Sequence, residues 1–495
     1  MESPKPTTNT DAVDEVKGNE SSSYLVQLLS YFKVTRLTEL EIFLFGFSMI
    51  LGNRSTGWNS NINTYGLDIL WFNLFFSGFG FVCLCLCMAE MSSALPFSGG
   101  VFGFVRASVG PFCGFMVACT EFMFCMTQMS LKAQRFLSDD NGQLIVIVMF
   151  GFCLVVNLIG GRPVFALTSF MGFCIAIMML IYLFGTLSKV ETDEVSYSHF
   201  SPLPVEFTWF NVMSGRPSVG GQFSGIQYLT LLADLLRDPK EQLPRVWLVS
   251  LFIFMATSVF VILAAVSQAP LAKSLQKASF PMQGGYARIF ELQDLTQMKW
   301  VDFPFQFGSI FCLYYCAGKQ LLALSRSGLL PSIFKKVVPG SETPYVCYTF
   351  TAAVGICMNM YFLYYPTYLG EIKAVTTILS VTINFSCLLA YMVFRRKFSS
   401  MAKSFVNPFG DFGAIWGIIV FAIAVVGNLF YNPTVNKMFL VGIGAYWVTC
   451  AIFFFVYLVR HQKFSEEEKK VMFKAYLING KFLIVQRLFE ILTFS

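Results

Sequence analysis

Two glycine-rich interruptions and two charged residues stand inside otherwise apolar stretches of this sequence. Leu51-Gly52-Asn53-Arg54-Ser55-Thr56-Gly57 breaks the first apolar run, and Gly220-Gly221-Gln222-Phe223-Ser224-Gly225 breaks the sixth. A helix broken in hydrocarbon strands unpaired amides and carbonyls, which is costly unless they face a cavity. Half-helix N-termini can then hold an anionic group. Two interruptions in corresponding positions of two five-span halves therefore mark a small-molecule site. Taken singly, each also reads as a small-residue packing contact.

Arg54 lies within the first interruption, and Glu121 lies mid-run in VACTEFMFCM, 117–126. An arginine in a broken helix can clamp a carboxylate through two parallel hydrogen bonds. It can equally pair with Glu121, or snorkel along a cavity wall. Intramembrane acids are expensive and usually functional. Glu121 is open to four readings: a proton carrier, the partner of Arg54, a site for a substrate amine, or a packing carboxylate bonded to Ser or Thr. Glu41 and Glu90 stand nearer helix ends, where water is expected close by, and both read as structural. Tyr314, Tyr315 and Asn384 fit a pocket wall, with ordinary packing the simpler account of each.

The elements that must position these residues follow from composition. The chain has 495 residues, 55% hydrophobic and only 13% charged, with 56 Phe and 20 Tyr. Soluble domains carry about 25% charge, so this composition indicates an integral membrane protein. Runs near the 20 or so residues a bilayer requires occur at 40–65, 69–92, 101–131, 143–160, 163–187, 207–236, 246–269, 303–327, 344–364, 370–394, 409–430 and 434–459. Gly160-Gly161-Arg162-Pro163 makes a tight turn between the fourth and fifth. The expected class is all-α, with twelve spans.

The sequence divides into a polar N-terminal tail (1–36), a twelve-helix region (37–460) and a C-terminal tail (461–495), charged first and then amphipathic. That last tail fits either the membrane surface or packing on the protein. The N-terminal tail lacks the apolar core of a cleavable signal. Lys and Arg concentrate in 237–245, 326–342 and 395–403, whereas 188–206 is acidic, which favours cytosolic termini. The surplus of 35 basic over 29 acidic residues is too scattered for nucleic-acid binding. With two histidines, His199 and His461, and no polar CxxC pair, a metal site is not expected. The fourteen cysteines lie in or beside apolar runs, which suits reduced thiols.

Three motifs carry a family resemblance. AEMSSALPFSGGVFGFVRASVGPFCGF (89–115), Arg237-Asp238-Pro239-Lys240-Glu241-Gln242-Leu243-Pro244-Arg245 and KQLLALSRSGLLPSIFKKVVPGSETPYV (319–346) stand in order. Together they resemble the amino acid–polyamine–organocation transporter superfamily, over about residues 30–460. Gly57-Trp58-Asn59 and the 223–245 stretch are most similar to its ethanolamine-permease-like branch. The resemblance implies a five-plus-five inverted-repeat fold with broken helices 1 and 6. It further implies alternating access and a substrate held between those two helices.

Carried onto this chain, the implied contacts are Gly52, Asn53, Arg54, Ser55, Thr56 and Gly57 on segment 1, and Phe223, Ser224, Gly225, Gln227 and Tyr228 on segment 6. Backbone groups would grip carboxylate and amine, with hydroxyls from Ser55, Thr56 and Ser224. Glu121 joins this set, while Asp234 and Lys319 fall where an inner gate would close. Arg106, Lys319 and Arg326 read as bridges between helix ends, and Gly99-Gly100 and Gly114 as close helix contacts. The branch pattern has a carboxylate after the segment 1 glycine and a Glu on segment 6. Here Arg54 and Gln227 align with them, which removes the acids that would neutralise an amine.

The expected function is secondary transport of a small amino acid or related amine or carboxylate. A non-transporting nutrient receptor on the same fold is the alternative. No catalytic constellation, cofactor or disulfide-linked heavy chain is expected. A coupled proton or sodium ion is the expected energy source, although segment 5 lacks the lysine that mimics sodium in some relatives. The host is the plasma membrane or an organelle membrane.

Overall fold

The computed structural model describes residues 36–53, 58–59, 62–97, 99–137, 142–188, 207–267, 275, 278, 280–292, 298–338, 343–399, 401–431, 437–461 and 469. Both tails lie almost entirely outside these, as do His199 and Arg54 to Gly57. The described part is helical, and ten of its helices are long and apolar enough to cross a membrane. With interrupted segments 1 and 6, they make up the expected twelve.

The first half consists of α1 (Glu39–Leu51), α2 (Leu67–Ala94), the short α3 (Gly100–Ser108), α4 (Pro111–Leu137), α5 (Gly142–Ile159) and α6 (Arg162–Leu187). The second half opens with α7 (Trp209–Gly220), which leads through a break into a 3-10 segment, Ile226–Leu235. It continues with α8 (Pro239–Val266), the short α9 (Gln283–Ile289), α10 (Met298–Arg326), α11 (Tyr345–Tyr364) and α12 (Leu369–Lys397). Two further spans, α13 (Gly410–Val426) and α14 (Lys437–Phe453), follow. Segments 2, 3 and 4 each pack on their counterparts 7, 8 and 9: α2 on α8, α4 on α10 and α5 on α11. That pairing is what an inverted repeat produces.

Local chemistry accounts for the key boundaries. Thr38 and Glu41 form a reciprocal capping box at the start of α1, with Glu41 N–H donating to Thr38 Oγ1 at 3.2 Å and Thr38 N–H to Glu41 Oε2 at 2.8 Å. Gly160 and Gly161 both take positive φ, 66° and 63°, making the expected turn into α6. A side chain on Gly160 would collide with Thr343. The outer face carries exposed Phe75, Phe184, Phe252 and Phe430, as hydrocarbon rather than water requires.

Two sequence expectations need correction. The third run, 101–131, is two helices rather than one. The chain turns at Gly110, φ 143°, and α4 continues to Leu137, so Lys132 and Arg135 belong to a helix and not to a loop. Glu90 is not near water. It is completely buried near the C-terminal end of α2, where Lys403 Nζ (2.7 Å), the Asn407 N–H (3.0 Å) and the Tyr391 hydroxyl all donate to its carboxylate.

Candidate functional site

The interruption of segment 1 begins where α1 tightens. Asn53 N–H donates to Ile50 O at 2.9 Å, a one-residue-shorter bond than an α-helix would make. This releases the carbonyl of Met49, and Ser309 on α10 donates its hydroxyl to that oxygen at 2.7 Å. Gly52 lets the two elements approach. A Cβ there would stand 2.6 Å from the Phe305 carbonyl oxygen and 2.8 Å from Ser309 Cβ.

Segment 6 breaks at Gly225, whose φ of 104° suits glycine. Gln227 folds back, and its Oε1 accepts from the Gly225 N–H at 3.1 Å. Its Nε2 is buried without a partner among the described residues. The two breaks meet through one side chain: Asn53 Nδ2 donates to Ser224 O at 2.8 Å. The hydroxyls of Ser224 and Ser380, the latter on α12, lie 3.2 Å apart.

Phe223 is buried and packs its ring against Phe81 of α2, 5.2 Å between centroids, so it serves as wall rather than donor. Tyr228 stacks on Phe124 and donates its hydroxyl to Glu121 O at 3.1 Å. The Glu121 side chain is buried and accepts from Gln320 Nε2 of α10 at 2.7 Å. Its partner is therefore an amide, not Ser or Thr. Arg54, Ser55, Thr56 and Gly57 lie outside the described residues, so pairing of Arg54 with Glu121 is neither seen nor replaced.

Near the C-terminal end of α10, Lys319 Nζ and Asp234 Oδ2 form an ion pair at 2.7 Å. At the opposite end of the same helix, Arg135 of α4 pairs with Asp302, which also accepts from Gln306 Nε2 at 3.1 Å. Thus α10 is tied near its start to segment 3 and near its end to segment 6. Tyr314 and Tyr315 are packing residues: Tyr314 donates to Tyr348 O at 2.6 Å, and Tyr315 sits edge-on to Phe45 and Phe165. Asn384, by contrast, is buried with neither amide atom bonded among the described residues.

The principal residue missed by sequence reasoning is Lys132. It is 2% exposed, and its Nζ donates to Asn53 Oδ1 at 2.9 Å. The available signal was spacing. Lys132 follows Glu121 by eleven residues, about three helical turns, which sets both on one face of α4.

This arrangement of paired helix breaks, bridging carboxamide and opposed charge pairs agrees with sequence comparison. The family model described as amino acid permease matches residues 55–471. The chain belongs to the amino acid permease family. It is a membrane transporter. Among curated relatives, it is similar to a branched-chain amino acid permease of Bacillus subtilis (strain 168), 22% identical over 77% of this chain and 84% of the relative. It is also similar to a methylthioribose transporter of the same organism, at 23% identity over 67% of this chain and 75% of the relative. A gamma-aminobutyric acid permease of Escherichia coli (strain K12) matches at 23% identity, over 58% and 65%. The permease therefore has relatives whose cargoes differ widely in shape.

Proposed function

We propose that this permease carries a small amino acid, or a related amine or carboxylate, by secondary active alternating access. The carrying observation is the buried Asn53–Ser224 bond, which joins the two broken segments. Gly52, Asn53, Ser224 and Gly225 present their backbone groups to the cargo there. Gln227 contributes its Nε2, unpaired among the described residues, to the same interior.

In this reading, Asp234–Lys319 closes the inner side and Arg135–Asp302 the outer side. Breaking one pair while keeping the other opens one face at a time. Both termini lie in the cytosol, following the basic loops, and a proton or sodium gradient drives the cycle. Transport rather than catalysis is the chain's work, and no disulfide-linked partner is required. The 37–460 region is the transport unit, flanked by two cytosolic tails.

Uptake by purified protein in proteoliposomes tests the proposal. Labelled amino acids, amines and carboxylic acids would be offered under imposed proton or sodium gradients. Accumulation of at least one class, driven by one gradient, is expected. Saturable binding without flux across the panel would overturn transport in favour of a receptor.

A further inference from the structure

We propose that Lys132 is the counter-ion for a carboxylate on the cargo, so that the site selects an acid group and does not require an amine. This deepens the transport reading above and rests on it. Four observations carry the inference.

The first is an unbalanced charge. A buried ammonium is held only where it is paired or richly hydrogen-bonded. Lys132 has three N–H donors, and among the described residues one of them is used, on Asn53 Oδ1. No described carboxylate lies within ion-pair reach of it.

The second is the disposition of the acids that might have answered that charge. Asp302 is bound to Arg135 and Gln306. Glu121 stands about 16 Å back along α4 and is held by Gln320. Glu371 lies nine residues, or about 13 Å along α12, beyond the Ser380 that contacts Ser224. None of the described acids is left at the break to receive an amine.

The third is placement. Nζ lies 3.2 Å from where a Cβ on Gly52 would be, so the ammonium is set against the end of α1. A helix C-terminus favours a cation, and transporters with discontinuous helices bind cationic groups at such ends. In this chain the position is filled by a tethered cation, which leaves an anion as the group still wanting.

The fourth is connectivity. Asn53 joins Lys132 directly to Ser224 O. A carboxylate seated between segments 1 and 6 takes the two remaining N–H groups of the ammonium without displacing Asn53.

The test is a thermal-shift and equilibrium-binding panel on the purified full-length protein. It uses two matched sets: leucine, 4-methylpentanoate and 3-methylbutylamine, then gamma-aminobutyrate, butyrate and propylamine. In at least one set the acid lacking the amine is expected to bind within about tenfold of the amino acid, with the amine not binding. Lys132→Gln retains a donor for Asn53 but no charge. It is expected to weaken the acids at least about thirtyfold, the loss typical when one member of a buried charge pair is truncated. Lys132→Arg is expected to restore most of that affinity.

Binding of the amines in preference to the acids would overturn the assignment. So would unchanged acid affinity in Lys132→Gln, or no carboxylate binding in either set. Should the Gln variant fail to fold, the wild-type panel alone decides. The expected binding pattern without flux in proteoliposomes would uphold the counter-ion and overturn the transport reading.

Discussion

Lys132 Nζ lies 2.9 Å from Asn53 Oδ1, and the same carboxamide donates from Nδ2 to Ser224 O at 2.8 Å. One side chain on segment 1 therefore couples a buried cation on segment 3 to the broken backbone of segment 6. Both bonds are buried, and one has a charged donor, the kind that contributes about 1.5–3 kcal/mol.

Asn53→Ala removes both bonds at once. The expected outcome is a destabilisation of about 3 kcal/mol and at least a tenfold fall in uptake rate. Thermal unfolding in detergent and initial-rate uptake check the two halves of this statement. An unchanged melting temperature would remove the carboxamide from its bridging role.

The glycines supply a graded comparison. A Cβ at Gly52 meets the Phe305 carbonyl and Ser309, whereas Gly442 and Gly444 have open space around them. Gly52→Ala must push α1 from α10 and is expected to abolish transport. Gly442→Ala and Gly444→Ala are expected to change neither rate nor expression. Equal uptake by all three variants would contradict the close approach of α1 to α10.

Gly225 separates strain from crowding. Its φ is 104°, yet a Cβ there would find its nearest neighbour, the Met49 side chain, at a comfortable 3.8 Å. Gly225→Ala is therefore expected to cost about 1–3 kcal/mol from backbone strain alone. Further enlargement to Ser should add little. A steep decline from Ala to Ser, followed by thermal unfolding, would point to a steric cause instead.

The Asp234–Lys319 pair is partly exposed, with side-chain accessibilities of 15% for Lys319 and 25% for Asp234. Its coupling energy is expected near 1 kcal/mol, at the upper end for pairs in contact with water. Asp234→Lys and Lys319→Asp singly should each impair uptake several-fold, and the double exchange should recover much of it. A double-mutant cycle with no coupling would separate the pair from gating.

Much of the fold was legible because hydropathy and glycine punctuation are local properties. The twelve segments, the turn at Gly160-Gly161 and the breaks near Gly52 and Gly225 all follow from composition along the chain. The partners of Asp234 and Glu121 were not legible in the same way. Asp234 and Lys319 were each placed at the inner end from motifs, but their mutual contact depends on how segment 6 meets α10. Lys132 was lost because the basic stretch Lys132-Ala133-Gln134-Arg135 reads as a membrane-surface loop when only charge is counted. The helix continues because Arg135 finds Asp302 and Lys132 finds Asn53, compensations supplied from distant sequence. Glu90 reads as a structural residue close to water for the same reason, since its partners Tyr391, Lys403 and Asn407 lie some three hundred residues away.

The two broken segments are also joined a second time, at the start of segment 1 and the end of segment 6. Leu37 N–H donates to Leu235 O at 2.7 Å, and Arg36 Nη1 to Leu236 O at 2.7 Å. Two rods pinned together at two heights cannot scissor past each other. In the proposed transport cycle they would move as one blade, and motion of either would be felt by whatever touches the other. A crosslink between positions 37 and 235 should therefore leave turnover intact, because it locks parts already travelling together. One between 234 and 319 should stop it, because it bolts the blade to its frame.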